Sequence, residues 1–270
     1  MLIVSAKVFL LLILCVAASK VIAVPHLHRR IIGGFDVPDS AAPWAARLVF
    51  TSGTGSSLCA GTFISQRHII TAAHCVIGPS AVYPVQNTTV GYGSSELTKQ
   101  TKVMPVKITP HPYFGSQSNI NINDIAVVEI PNAHNVQPAA IYMGTVGVHE
   151  SVLAVGWGAT TGTNDPRSAP SRLRGAYLKV GQECRRVDPV MDGSRICTLN
   201  KYTVGRATCK GDSGGGLFVL ANSTVLLLAG LDSQGGRIGD PTCGTADGYS
   251  LFTRIKSHMK FIGQATGIVF

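Results

Sequence analysis

Ser213 stands in KGDSGGG, residues 210–216, with an aspartate beside it and four glycines in the stretch. A serine hydroxyl is a weak nucleophile at neutral pH. It needs a base to take its proton and hydrogen-bond donors to hold the oxyanion that its attack creates. Glycines permit a tight turn that points successive backbone amides at one spot, and they put no side chain in a substrate's way. The same glycines also suit an ordinary surface turn, so this stretch alone leaves the function open.

A base is available upstream. TAAHC, residues 71–75, sets His74 next to Cys75, where a disulfide would fix the backbone of the imidazole. NINDIAVVEI, 121–130, puts Asp124 at the mouth of an apolar strand, where a carboxylate is costly unless it is hydrogen-bonded. A buried aspartate can hold a histidine's tautomer and stabilise its protonated form. His74, Asp124 and Ser213 could therefore form one hydrogen-bonded chain. The histidines His68, His111, His134, His149 and His258 read as structural or solvated.

Elements must bring these residues together. At 45% hydrophobic and 14% charged, 270 residues are enough for one large domain or two small ones with substantial cores. Short β-branched or apolar runs (RLVF 47–50, TFIS 62–65, SVLAV 151–155, GLFVL 216–220, TVLLLAGL 224–231) lie between frequent glycine and proline signals. That pattern predicts antiparallel sheets with the chemistry carried on loops such as TTGTNDPRSAPSR, 160–172. By periodicity alone TVLLLAGL is also compatible with a buried helix. The clearest helix is terminal, SHMKFIGQATG at 257–267, with Met259, Ile262 and Thr266 spaced for one face. A rival reading takes GDSGG as the G-x-S-x-G elbow of α/β-hydrolases, in the chain order Ser213, Asp240, His258. That fold needs alternating helices and strands, which are not evident, and it leaves His74 and Asp124 without a role.

Residues 1–23 combine a lysine, an apolar run from Val8 to Ala18 and small residues near Ala18 and Ala23. This is signal-peptide order in a run too short to span a bilayer, and it predicts secretion, with no membrane attachment once the signal is removed. Of seven cysteines, Cys15 leaves with the signal; Cys59, Cys75, Cys184, Cys197, Cys209 and Cys243 form an even set with fifteen pairings open. Asn87 and Asn222 begin glycosylation acceptors. Losing Lys7, Lys20, Arg29 and Arg30 lowers the formal charge from +9 to +5. The remaining cations are scattered, with no interleaved aromatic platform, which argues against a nucleic-acid partner.

IIGG at 31–34, TAAHC, NDIA at 123–126, GWG at 156–158 and GDSGG at 211–215 together resemble the chymotrypsin-like serine proteases, in the family's order and over residues 31–270. The resemblance implies an all-β fold of two six-stranded antiparallel β-barrels with a short C-terminal helix and the active site in the cleft between the barrels. It implies Ser213 as nucleophile, His74 as general base, Asp124 as its orienter, the amides of Gly211 and Ser213 as the oxyanion hole, and Ser233 as a support for the aspartate. Residues 24–30 become a propeptide cut after Arg30, whose removal frees Ile31 to pair with Asp212. The implied disulfides are Cys59–Cys75, Cys184–Cys197 and Cys209–Cys243.

The family's pocket floor corresponds to Ala207, with Thr208 beside it and Gly235 at the mouth. An uncharged floor favours an apolar or small P1 residue, and an open mouth favours a larger one. Two departures from the family pattern, Gln234 in place of the usual tryptophan and the long stretch GGRIGDPTC at 235–243, leave basic P1 cleavage open. A pocket carboxylate would then come from Asp232 or Asp247, both otherwise read as surface loop residues. Only Glu96 lies where some relatives carry a calcium loop, so neither metal nor cofactor is expected. The expected partners are protein substrates, an activating protease and protein inhibitors. A catalytically dead, binding member of the family is the non-enzyme alternative.

Overall fold

The computed structural model describes residues 31–270 apart from Thr54, Pro79, Ser80, His134, 163–168, Glu183, 189–191, 222–224, 238–239 and Pro241. The signal peptide, the propeptide with Arg30, and Asn222 lie outside the described residues. Two antiparallel sheets make up the body. The first has seven strands in the order Thr101–Val103, Thr88–Tyr92, Ala45–Ser52, Gly55–Phe63, His68–Thr71, Ala126–Glu129 and Lys107–Pro110. The second follows the order Phe35–Asp36, Arg174–Lys179, Ser151–Gly156, Gly216–Ala221, Val225–Gly236, Tyr249–Arg254 and Arg195–Leu199. A short strand, Ala140–Ile141, joins it in parallel beside Leu227 and Leu228. The two sheets curl into the two barrels of the all-β fold, and a helix, Met259–Thr266, closes the chain.

RLVF, SVLAV and GLFVL lie wholly within strands, whereas TFIS is strand only through Phe63, and Ile64 and Ser65 bend out of it. TVLLLAGL, ambiguous by periodicity, belongs to the strand Val225–Gly236, where pairing with Gly216–Ala221 on one side and Tyr249–Arg254 on the other decides its state. The terminal helix buries Phe261 and Ile262, with Met259 packed partly against the core, and Thr266 lies at the margin. The face is therefore rotated towards Phe261 relative to the Met259–Ile262–Thr266 expectation.

One apolar cluster fills the first barrel and runs into the second through Trp44, whose ring stacks on Phe218 at 3.9 Å between centroids. A second cluster lies within the other barrel and contains Ile31, fully buried among Val152, Ala154, Leu217 and Phe252. Three disulfides, Cys59–Cys75, Cys184–Cys197 and Cys209–Cys243, staple the chain in the pairs the resemblance implies. Among the described residues no helix is long and apolar enough to cross a membrane.

Candidate active site

His74 sits on a single helical turn, Ala73–Val76, directly after the strand His68–Thr71, and the Cys59–Cys75 bond ties that turn to the strand Gly55–Phe63. Asp124 precedes the strand Ala126–Glu129, which pairs with His68–Thr71, so neighbouring strand ends bring base and acid together. The fully buried Asp124 accepts from the His74 backbone amide at 2.9 Å through Oδ1. Its Oδ2 lies 2.7 Å from His74 Nδ1. Ser233 Oγ donates to the same oxygen at 2.5 Å and Asn121 Nδ2 at 3.2 Å, while Thr253 Oγ1 donates to the Asp124 carbonyl at 2.9 Å. Burial by itself would raise the aspartate's pKa, but the His74 hydrogen bond and charge, with Ser233, hold it below the usual carboxylate value. Burial would likewise lower the imidazole's pKa, but the bond and charge of Asp124, with the charge of Asp232, raise it above its ordinary value.

Ser233 reaches Asp124 through a defect in the sheet. The register between Val225–Gly236 and Tyr249–Arg254 shifts between Asp232 and Gln234, so Ser233 is a bulge residue, and both it and Asp232 are buried. A bulge re-aims a side chain that strict alternation would send elsewhere. Gln234 then bridges outwards: its Oε1 accepts from the Asn121 amide at 3.1 Å and its Nε2 donates to the Asn119 carbonyl at 2.9 Å. In place of an aromatic ring, this position anchors the hairpin Gly115–Gln117/Ile120–Ile122.

The half-buried Ser213 lies on the turn between Cys209 and the strand Gly216–Ala221. Its carbonyl accepts from Ala60 of the first barrel at 2.8 Å, and the Gly214 amide donates to the Asp232 carbonyl at 2.7 Å. Gly214 has φ +76° and touches the first barrel so closely that an added Cβ would lie 2.1 Å from Thr71 Oγ1. Among the described residues the amides of Gly211 and Ser213 donate to no backbone carbonyl. Asp212 points inwards, buried, and accepts from Gly158 at 2.8 Å and Cys209 at 2.9 Å. Burial pushes its pKa up to about 7 against the pull of those two amides. The GWG motif supplies the space: a Cβ on Gly156 or Gly158 would lie 2.2 or 2.4 Å from the Asp212 carboxyl. Ile32 bridges to Ala207 on the neighbouring segment, which brings the start of the described chain alongside the expected pocket floor.

Ala207 and Thr208, expected at the pocket floor, are buried, and Gly235, expected at its mouth, is exposed next to Ser250. Asp232 is a correction: it was read as a surface loop residue, but it is buried within a strand, with Oδ1 3.1 Å from Thr208 Oγ1. Asp247 is at the surface, paired with Arg237 at 3.3 Å. The residues of the rival hydrolase order are employed elsewhere: His258 Nδ1 lies 3.0 Å from the Arg254 carbonyl, and Asp240 accepts from Thr242. Cys59, His74 and Cys75 crowd together as metal ligands might, but the two sulfurs are bonded to each other and offer no thiolate. Asn87 is exposed. Sequence reasoning missed Asn121, Ser250 and the bridging role of Gln234, because their contacts depend on a hairpin and a bulge that leave no spacing signal.

A family model described as Trypsin matches residues 31–262. Phenoloxidase-activating factor 3 of Holotrichia diomphalia is 29% identical over 262 residues, covering 87% of this chain and 72% of that protein. Trypsin alpha-4 of Lucilia cuprina is 33% identical over 202 residues, 72% of this chain and 74% of its own. A chymotrypsin of Phaedon cochleariae is 27% identical over 244 residues, 86% and 80% of the two chains. With two sheets curled into two barrels, the match over 31–262 establishes that the chain belongs to the trypsin family of serine proteases.

Proposed function

We propose that the chain is a secreted serine endopeptidase, held as a precursor until it is cut after Arg30, which hydrolyses peptide bonds through an acyl-enzyme on Ser213. The observation that carries this reading is the bond from Asp124 to His74 Nδ1 at 2.7 Å, reinforced by Ser233 and Asn121. His74 Nε2, 3.8 Å from the disulfide-bonded Cys75 Sγ, is then the nitrogen that takes the serine proton. Ser213 attacks the scissile carbonyl as His74 takes its proton; His74 then gives that proton to the leaving amine, and water repeats the sequence to release the acid. The amides of Gly211 and Ser213, unclaimed by other carbonyls among the described residues, receive the developing oxyanion.

Asp212 supports the activation step. A carboxyl pushed up to about 7 by burial, with the amides of Gly158 and Cys209 as its hydrogen-bond donors among the described residues, gains from a cation, and the new amine of Ile31 would supply one. Ile31 is buried in the same barrel and holds φ +36°, a costly conformation for a β-branched residue that an uncut chain must bear. The uncharged Ala207 at the expected pocket floor favours an apolar or small P1 residue.

Hydrolysis of a quenched peptide library by the precursor, by the chain cut after Arg30 and by cut Ser213→Ala tests the reading. Only the cut wild-type chain should be active. Equal activity of the precursor would refute the switch, and equal activity of Ser213→Ala would refute the nucleophile.

A further inference from the structure

The hairpin Gly115–Gln117/Ile120–Ile122 pairs with neither of the two main sheets and stands as a two-stranded sheet of its own. Such a hairpin is marginal by itself and needs outside contacts to keep one position. Its turn is tight: Ser118 at φ +51° and Asn119 at φ +63° follow the type I′ pattern, whose twist matches that of the flanking strands. The hairpin is fastened to the second barrel at two places. Ile120 is buried in one cluster with Cys184, Cys197 and Leu251. Gln234, on the strand Val225–Gly236, clasps it with both ends of one amide, accepting from the Asn121 backbone at 3.1 Å and donating to the Asn119 carbonyl at 2.9 Å. A tryptophan, usual in the family at this position, has one donor and no acceptor and could not close both bonds. The Asn121 side chain carries the connection on, Nδ2 donating to Asp124 Oδ2 at 3.2 Å. The strand thus reaches that oxygen directly through Ser233 at 2.5 Å and again, across the hairpin, through Gln234 and Asn121.

We propose that Asn121 and Gln234 are positioning residues for the acyl transfer: Gln234 fixes the hairpin so that the Asn121 amide holds the Asp124 carboxylate against His74. This rests on the protease reading above and adds to it a brace that Ser233 alone does not supply. A carboxylate oxygen that receives His74, Ser233 and Asn121 together has little freedom to turn away from the imidazole. Asn121 also draws charge from the oxygen that faces His74 Nδ1. Without that donor the oxygen presents more charge to the imidazolium, while the carboxylate is held less firmly. The charged groups facing His74 are Asp124 and Asp232, and substitution at Asn121 or Gln234 alters neither. Loss of the brace therefore leaves two separable signs, slower chemistry and a histidine that keeps its proton to higher pH.

The test uses the chain cut after Arg30 and one peptide amide, with competent sites counted by a fluorophosphonate so that each rate refers to folded enzyme. Asn121→Leu, close in volume but without a donor, should lower kcat roughly ten- to a hundredfold and leave KM little changed. It should also move the acid limb of kcat/KM upwards in pH. Gln234→Leu should lower kcat in the otherwise wild-type chain. In the Asn121→Leu background the same change should lower it by no more than about twofold, because Gln234 acts through Asn121. Unchanged kcat in Asn121→Leu, an acid limb that stays in place or moves down, or equal losses from Gln234→Leu in both backgrounds would overturn the proposal. Fluorophosphonate labelling separates the two readings: any of these results with wild-type Ser213 labelled overturns the brace alone, and an unlabelled wild-type chain overturns the protease reading with it.

Discussion

Individual side chains decide whether this chain performs acyl transfer. His74 must be neutral to accept a proton, and its pKa lies above the ordinary histidine value because Asp124 outweighs the effect of burial. The acid limb of kcat/KM should therefore fall above pH 6.5, with activity rising as pH rises through it, as a pH profile on one peptide amide would read; a limb below that value would contradict the coupling. Asp124→Asn keeps the shape but supports the wrong tautomer, and should lower kcat by about four orders of magnitude in steady-state assays. The contact of His74 with Asp124 was legible in the sequence because each residue lies in a short motif whose order along the chain admits few folds. Asp232 was not, because it lies near the end of a stretch, 228–233, that is buried on both faces, and only the assembled sheet shows this.

At the scale of elements, the serine turn is held by the fit between barrels. Gly214→Ala would drive a Cβ into Thr71 Oγ1 and Ala60 O at a φ that only glycine adopts readily. It should cost about 1–3 kcal/mol or more in denaturant unfolding, together with most of the activity. On the second barrel, Arg195 and Asp188 form a buried two-bond pair at 2.5 and 2.9 Å, bracing the strand Arg195–Leu199 and the loop closed by Cys184–Cys197. Asp188→Ala leaves the buried guanidinium with only the long contacts to Asp192 at 3.9 Å and Ser194 at 3.4 Å among the described residues, and should destabilise by about 3 kcal/mol in the same experiment. The strands themselves were readable from β-branched runs between turn signals. The state of TVLLLAGL was not, because an unbroken apolar run has no period and only its two partner strands settle it. The helix face was misread by a fraction of a turn because Phe261, off the expected stripe, fills the core next to Ile262.

At the scale of the whole molecule, the start of the described chain and the segment at Ala207 meet in the second barrel. Ile31 is buried there, Ile32 bridges to Ala207, and the GWG glycines make room for Asp212. Cutting after Arg30 should raise kcat/KM by on the order of a hundredfold or more, and Asp212→Asn should remove most of that gain while leaving the uncut form little changed, as paired assays before and after cutting would read. The order of motifs made this architecture legible in advance; the brace from Gln234 through Asn121 to Asp124 became visible only once the sheets were assembled. The most direct measurement of the central claim is fluorophosphonate labelling of the cut chain followed by peptide mapping. Stoichiometric modification at Ser213, abolished by Ser213→Ala, is the predicted result; an unlabelled cut chain, or modification at another residue, would contradict it.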